Sequence, residues 1–294
     1  MPIFYQERDA GFIDYKPYLI CDKPKFFVRG PELDPGDLEK GNYFSVVGNA
    51  ETVGAHAERP YGTILSQRLG TPCLNLAKGG VCITFYNQPE KQKVIDYINK
   101  GKFLILTFMS GRQISTSLFE TRKGSSHCVY NNEKMEVEHA WRLILEEYWD
   151  REDFLENLAA EVRRSYVTEY LRFLEKIRVP VILFYFSQRE PKYSFNREMK
   201  SIYSLWSNFP QLVDDTTVEK ILKESNAVYA KCVSARGIPY TLKDSTGKEK
   251  PLWHPLKKEF QLYHRLYPSP EMHEDGADVL EPLCRNMKRG DTNG

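Results

Sequence analysis

The sequence lacks the features that mark membrane-spanning, secreted and nucleic-acid-binding proteins. Its longest apolar runs, FLILTFM at 103–109 and VPVILFYF at 179–186, are far shorter than the ~18 residues that span a bilayer. The first fifteen residues contain charges and no apolar segment typical of a signal peptide. Lys and Arg total 41 against 40 Asp and Glu, so no excess of positive charge attracts nucleic acid. We therefore expect a cytoplasmic protein that acts on small molecules, without a nucleic-acid partner or a membrane span.

The six cysteines are scattered, and no C-x-x-C pair occurs. This spacing favours free thiols over disulfides or a zinc site. The sequence also contains neither a G-x-G-x-x-G fingerprint nor a Walker loop, so no motif specifies a dinucleotide. We expect no metal site and no covalently bound cofactor.

What the sequence does contain is a regular alternation of strand and helix patterns. Short β-branched and aromatic runs predict five strands, near 43–48, 72–76, 103–109, 179–186 and 228–233. Helix patterns lie between them, and one begins at Pro60 and ends at Gly70. This alternation predicts an α/β fold with an open, doubly wound parallel sheet of the flavodoxin-like kind.

Two segments fall outside this alternation. Residues 1–42 are rich in Pro, Gly and charge, and they predict an irregular N-terminal arm with one short strand at Phe26–Val28. Apolar residues at helical spacing predict a helical insertion at about 130–178. The remaining residues, 43–294, are expected to form one α/β domain around that insertion.

In open parallel sheets, ligands bind beyond the carboxyl ends of the strands. The loops that follow four of the predicted strands therefore supply the candidate binding residues: Gly48, Asn49, Lys78, Gly79, Gly111, Arg112, Ser187 and Arg189. Three of these residues are cations, and glycine turns add backbone N–H donors. We expect the cations to converge on one rim and to bind an anion such as phosphate, sulfate or carboxylate, unless Glu51, Glu190 and Glu271 pair with them.

A histidine near the start of the last helix supplies a candidate base. His273 follows Ser269, which can cap that helix, and its ring is expected to point into the cleft. Imidazole titrates close to neutral pH, which suits proton transfer. Thr52 and Ser110 are the hydroxyls available as alternative nucleophiles.

The order of these loops resembles the SGNH (GDSL-type) hydrolase superfamily, over about 43–120 and 260–287. The resemblance implies a nucleophilic serine after strand one, oxyanion-hole residues after strands two and three, and an Asp-x-x-His before the last helix. Here Ala50 stands at the serine place and Gln113 at the Asn place; His264 and Tyr267 stand at the Asp and His places. The stretch 46–115 also resembles a bacterial family whose activity is not established.

With all three triad places changed, covalent ester hydrolysis by a serine has no mechanism. Our main prediction is a sulfuryl or acyl group transferase. It would use an anionic, nucleotide-type co-substrate as donor and a hydroxyl acceptor, for instance on a sugar or polysaccharide, because direct transfer needs positioning and one base but no enzyme nucleophile. The alternatives are an SGNH-type esterase with a displaced nucleophile and a non-catalytic ligand- or partner-binding protein.

Overall fold

The computed structural model describes residues 13–192, 201–244, 246–254 and 259–290. Its strands are β1 (Tyr18–Asp22), β2 (Lys25–Val28), β3 (Phe44–Val47), β4 (Cys73–Asn75), β5 (Leu104–Thr107), β6 (Phe119–Thr121), β7 (His127–Tyr130), β8 (Glu133–Glu136), β9 (Val181–Ser187), β10 (Val228–Val233), β11 (Tyr240–Thr241), β12 (Leu252–His254), β13 (Glu259–Gln261) and β14 (Tyr263–His264). Its helices are α1 (Pro35–Lys40), α2 (Ala50–Val53), α3 (Tyr61–Leu69), α4 (Ile83–Tyr86), α5 (Gln92–Lys100), α6 (Val137–Tyr148), α7 (Glu152–Leu174), α8 (Ile202–Trp206), α9 (Asp215–Lys223) and α10 (Pro270–Gly290).

Five strands form a central parallel sheet in the order β10-β9-β5-β3-β4. These are the five predicted strands, so the predicted α/β fold with an open parallel sheet is confirmed. Every residue of β3 and β5 is buried, as expected of central strands covered on both faces. In contrast, β10 lies at one edge, and its exposed and buried residues alternate.

Helices cover both faces of this sheet. On one face, α3 and α10 pack together over Phe44, Ile105 and Phe184. On the other face, α5, α6, α7 and α9 cover a larger core that includes Val47, Leu106 and Leu183. Because β3 has β4 on one side and β5 on the other, the chain reverses its direction of travel across the sheet at β3. A ligand crevice is expected at the carboxyl ends of β3 and β5.

Helices begin and end at the capping residues that the sequence indicated. α3 follows Pro60 and ends at Gly70, whose φ of 58° is the left-handed conformation that glycine adopts most readily. Asp214 caps α9 by accepting the N–H of Thr217.

Two segments differ from the prediction. The insertion begins with a three-stranded antiparallel sheet, β6-β7-β8, before α6 and α7. The described part of the arm is more regular than expected, because β1 and β2 form an antiparallel hairpin. All six cysteines are free thiols. Among the residues described, no helix is long and apolar enough to cross a membrane.

Candidate functional site

The carboxyl ends of β3, β4 and β5 surround a small cavity of about 30 Å³, which we call the inner cavity. Its lining includes Asn49, Ala50, Glu51, Ser110, Arg112, Gln113 and Gln211. Glu51, Arg112 and Gln211 also line a larger cleft of about 410 Å³. The predicted crevice at the reversal of strand order is therefore present, and it has an inner and an outer part.

Glu51 is the most perturbed acid at this site. It is the second residue of the short helix α2, its exposed fraction is 7%, and its Oε2 has no hydrogen-bond partner within the described residues. Burial raises the pKa of the Glu51 carboxyl to about 7, while the nearby Arg112 charge acts in the lowering direction. A carboxyl with a pKa near neutrality in a cleft can accept or donate a proton at working pH.

Three amide oxygens of the inner cavity lack partners as well. Asn49 Oδ1, Gln113 Oε1 and Gln211 Oε1 are buried, and no hydrogen bond to them is found in the described part of the chain. A buried acceptor left unpaired costs roughly 1–3 kcal/mol. The four residues that hold these oxygens, Glu51 included, all contribute to the lining of the inner cavity.

Arg112 is the cation that lines both the inner cavity and the larger cleft, and Arg265 also lines the cleft. Its guanidinium carbon lies 5.5 Å from the centre of the Trp206 ring, and its side chain makes no ion pair or hydrogen bond within the described ranges. The loop around it is held by its own backbone. The Arg112 N–H donates to Ser110 Oγ at 3.1 Å, and the Arg112 carbonyl accepts the indole N–H of Trp141 at 3.1 Å. The guanidinium is thus free to bind a ligand oxygen.

The predicted rim of three cations is wrong, because the other two cations are used within the fold. The Lys78 ammonium donates to the carbonyl of Phe27 at 3.0 Å, and burial lowers the pKa of Lys78 to about 8. The Arg189 guanidinium donates to five backbone carbonyls, those of Asn208, Glu190, Pro191, Pro210 and Val213. Of the three predicted cations, Arg112 alone lines the cleft.

The prediction that His273 points into the cleft is also wrong. Its ring is fully buried between Tyr61 and Phe186, with centroid distances of 6.0 and 5.3 Å. Nδ1 accepts the backbone N–H of Tyr61 at 3.3 Å. Burial, with the Arg29 charge adding to it, lowers the pKa of His273 to about 3. His273 is therefore a neutral core residue and cannot exchange protons with a ligand.

The two candidate hydroxyl nucleophiles occupy different places. Thr52 is fully enclosed, where its Oγ1 donates to Thr107 Oγ1 at 2.9 Å and accepts from the Tyr61 hydroxyl at 3.3 Å. That network excludes Thr52 from contact with a ligand. Ser110 does line the inner cavity, although it is nearly fully buried.

The glycines predicted to bind a ligand instead allow close packing and make hydrogen bonds within the fold. A Cβ at position 48 would overlap Thr52 Oγ1, and the Gly48 carbonyl accepts from the N–H of Lys78 and the hydroxyl of Tyr86. The Gly111 N–H donates to the carbonyl of Gln211 at 2.8 Å. At the end of β4, the glycine in the inner-cavity lining is Gly80, whose φ is 72°, rather than Gly79.

Ser187 lies in the cleft lining, at the end of β9. Its hydroxyl donates to the carbonyl of Phe209 at 2.6 Å and accepts the N–H of Arg189 at 3.0 Å. It thus connects the end of β9 to the cleft wall at 207–213, and its predicted role in ligand binding stays a prediction.

The positions that carry the SGNH resemblance do meet in space. Ala50, Gln113 and Tyr267 all line the inner cavity, and the ring of His264 stacks on Tyr267 with centroids 5.0 Å apart. Sequence reasoning treated Glu51 only as an ion-pair partner. A signal was available, since Glu51 is the single charged residue in the stretch 41–57, directly after a predicted strand.

The model of a family described as a domain of unknown function (DUF6473) matches residues 3–123. The search of curated proteins finds no match.

Among solved structures, the chain is similar to a carbohydrate esterase family 2 enzyme with a carbohydrate-binding domain from Corynascus thermopiles (Myceliophthora fergusii). The identity is 10%, the TM-score is 0.41, and the alignment covers 89% of this chain and 69% of that one. It is also similar to a protein of Slackia heliotrinireducens described as an SGNH hydrolase, with 13% identity, a TM-score of 0.40, and coverage of 83% of this chain and 100% of that one. A family two carbohydrate esterase from Clostridium thermocellum has 10% identity, a TM-score of 0.38, and coverage of 91% and 68%. These values are too low to assign an activity or a residue role to this chain.

Proposed function

We propose that the protein hydrolyses an ester of a hydroxylated, sugar-sized substrate, with Glu51 as the general base. The observation that carries this proposal is the placement of a buried carboxyl with a pKa of about 7 in the cleft, beside the unpaired Arg112. General-base catalysis is most efficient when the pKa of the base lies near the working pH. Arg112 is placed to stabilise negative charge on an ester oxygen during attack.

The lining of the cleft supports this class of substrate. Its volume of about 410 Å³ lies in the range of small-molecule sites. Its lining includes aromatic rings (Phe186 and Tyr203) and amide side chains (Gln188 and Asn208). Aromatic faces pack against the C–H faces of a sugar, while amides and the unpaired oxygens of the inner cavity bind hydroxyl groups.

Support for a sulfuryl or acyl transferase with a nucleotide-type donor is weaker. That interpretation depended on three convergent cations and on His273, and the cleft contains one of those four side chains. The single Arg of the inner cavity suits one ester or carboxylate oxygen better than a polyphosphate. Hydrolysis is the simpler use of one base and one cation.

The experiment is a pH–rate profile on acetylated mono- and oligosaccharides. We expect kcat/KM to rise with pH and to level off above a midpoint near 7, because Glu51 must be deprotonated to act as base. Glu51→Gln should lower kcat by ~10²–10⁴-fold and abolish that midpoint. The matched control is Glu190→Gln, which changes an exposed acid that pairs with Lys231 outside the site. Full activity of Glu51→Gln would contradict the proposal.

A second candidate function is ligand binding without catalysis. Ala50 favours it, because the position at which the SGNH resemblance implies a nucleophilic serine has only a methyl group. In that case sugar esters bind but are not turned over at any pH. Arg112→Ala should weaken binding by about 1.5–3 kcal/mol under either function, as is usual for hydrogen bonds to charged groups. Isothermal titration of the same esters, together with the turnover assay, separates the two functions.

A further inference from the structure

The inner cavity is large enough to hold a water molecule. Its volume is about 30 Å³, and a water needs at least about 10–15 Å³ of such space. Ala50 contributes to its wall with a methyl group, the smallest side chain that an L-residue can have. An apolar cavity of this size would stay dry, but this one is lined by polar groups.

Four residues of the lining each have a side-chain oxygen without a hydrogen-bond partner within the described residues. Glu51 Oε2, Asn49 Oδ1, Gln113 Oε1 and Gln211 Oε1 are all buried acceptors. A buried water commonly makes two to four hydrogen bonds, and it can donate two of them. Two oxygens then remain for the hydroxyl groups of a substrate in the adjoining cleft.

We propose that the inner cavity binds the attacking water beside Ala50, so that Glu51 activates it and no acyl-enzyme forms. This inference rests on the proposed hydrolysis, and it names the nucleophile for that reaction. The water oxygen forms a bond to the acyl carbon while one water proton passes to Glu51 Oε2. The carbonyl electron pair moves to the acyl oxygen, where the Arg112 guanidinium stabilises the negative charge.

Collapse of the tetrahedral intermediate completes the reaction. The carbonyl re-forms, the bond from the acyl carbon to the alkoxy oxygen breaks, and Glu51 returns its proton to the departing alkoxy oxygen. The products are one carboxylic acid and one alcohol, and the carboxylate of Glu51 is restored. No oxidant, metal or second substrate is required.

The first test is a high-resolution crystal structure of the free protein above pH 7. We expect one ordered water in the inner cavity, within hydrogen-bond distance of Glu51 Oε2. This readout is independent of activity. An inner cavity that contains no ordered water would overturn the inference even if esters are hydrolysed.

The second test looks for a covalent intermediate in the wild-type protein. Rapid quenching of turnover with an acetylated sugar, followed by intact-mass analysis, should reveal no acetyl adduct, and fluorophosphonate probes should not label Ser110. Repeated turnover in ¹⁸O water should leave the Glu51 carboxyl unlabelled, because a mixed anhydride between Glu51 and the acyl group would take up ¹⁸O in that carboxyl when water attacks its Glu51 carbonyl. An adduct on Ser110 or Glu51 would overturn this inference and leave the proposed hydrolysis standing.

The third test is Ala50→Ser, which puts a hydroxymethyl group where the water is expected. We expect kcat to fall by on the order of 10²-fold, the effect that a misplacement of a reactant by about 1 Å can have. Its melting temperature shows whether the variant folds, and Glu190→Gln again serves as the control. An unchanged rate in a folded variant would contradict the inference. If the water is present but no ester is hydrolysed, the proposed function fails together with the role of this water as nucleophile.

Discussion

Glu51 carries a stability cost that depends on pH. The pKa of its carboxyl is about 7 in the folded protein against 4.5 for an ordinary Glu, so the folded state retains a proton that the unfolded state releases. Below pH 4.5 the carboxyl is protonated in both states, and the stability contribution of the neutral buried group is fully present. This contribution is lost as the pH rises from 4.5 to about 7, where the buried group must ionise. One pKa unit corresponds to about 1.4 kcal/mol, which gives a cost on the order of 3 kcal/mol above neutrality.

Glu51→Gln should therefore stabilise the protein at high pH. Gln has a similar shape and no charge to desolvate, so the unfolding free energy at pH 8 should exceed that of the wild type by on the order of 3 kcal/mol. The two proteins should differ little at pH 4.5. Urea unfolding at both pH values measures this, with Glu190→Gln as the exposed control. An equal difference at both pH values would show that burial does not perturb Glu51.

His273 shows why residue type alone does not identify a base. Its place near the start of α10 is as predicted, but the helix turns the ring into the core against Tyr61. Sequence spacing fixes a helix position, whereas the direction in which the side chain points relative to the cleft depends on how the helix packs. The buried ring loses its ability to titrate near neutrality because no water solvates the imidazolium.

Among the elements, the segment 207–213 forms a wall of the cleft and is held by Arg189. Asn208, Phe209 and Gln211 line the cleft, and the Arg189 guanidinium binds carbonyls of this segment with donor–acceptor distances between 2.7 and 3.0 Å. A charged planar fork that satisfies several carbonyls fixes the backbone more firmly than a single contact could. Arg189 is thus a positioning residue for the wall.

Arg189→Ala should reduce the unfolding free energy by about 2–4 kcal/mol, because several carbonyls lose a charged donor together. It should also weaken ester binding indirectly, through a looser wall. Arg189→Lys keeps the charge but not the fork, so it should restore only part of the stability. Thermal unfolding and titration with the substrate ester measure both effects. A loss of affinity with unchanged stability would instead support direct contact between Arg189 and the ligand.

The largest sheet that sequence reasoning missed is β6-β7-β8. Its strands have three or four residues each, and β8 is almost entirely exposed. The apolar alternation that predicts a half-buried strand is therefore short or missing. The predicted insertion began at about 130, so it included β8 within a helical stretch and left β6 and most of β7 outside it.

At the scale of the whole molecule, Arg29 joins the N-terminal arm to the site. Its exposed fraction is 5%, and its guanidinium donates to the carbonyls of Val53, Gly54, Ala57 and Glu58, each at 2.8 Å. Burial lowers the pKa of Arg29 to about 10, so it stays protonated at neutral pH. These carbonyls belong to the end of α2, the helix that carries Glu51, and to the loop after it.

Arg29→Ala should lower the unfolding free energy by at least about 3 kcal/mol, since it leaves four buried or half-buried carbonyls without a donor. Turnover should fall as well if α2 loosens. Hydrogen exchange of the amides at 50–58 should become faster before global unfolding. Arg122→Ala, in the loop between β6 and β7, is the control. Unchanged exchange in this segment would show that the arm does not support the site.

The sequence by itself determined the five parallel strands, the helices between them and the edge of the sheet where the crevice lies. These features depend on local information: the period of apolar residues, a proline before a helix, and a glycine after it. Residues that signal them are neighbours in the chain, so the pattern can be interpreted without knowing the fold.

Only the tertiary structure decided which polar side chains meet at that edge. Lys78 binds a carbonyl 51 residues away, and His273 binds an N–H 212 residues away, so neither faces the cleft. Glu51 and Arg112 come together because β3 and β5 are adjacent in the sheet. The charge and the pKa of each group depend on partners that are far apart in the chain and on the loss of water around them. Neither the charge nor the pKa can therefore be predicted from neighbouring residues in the sequence.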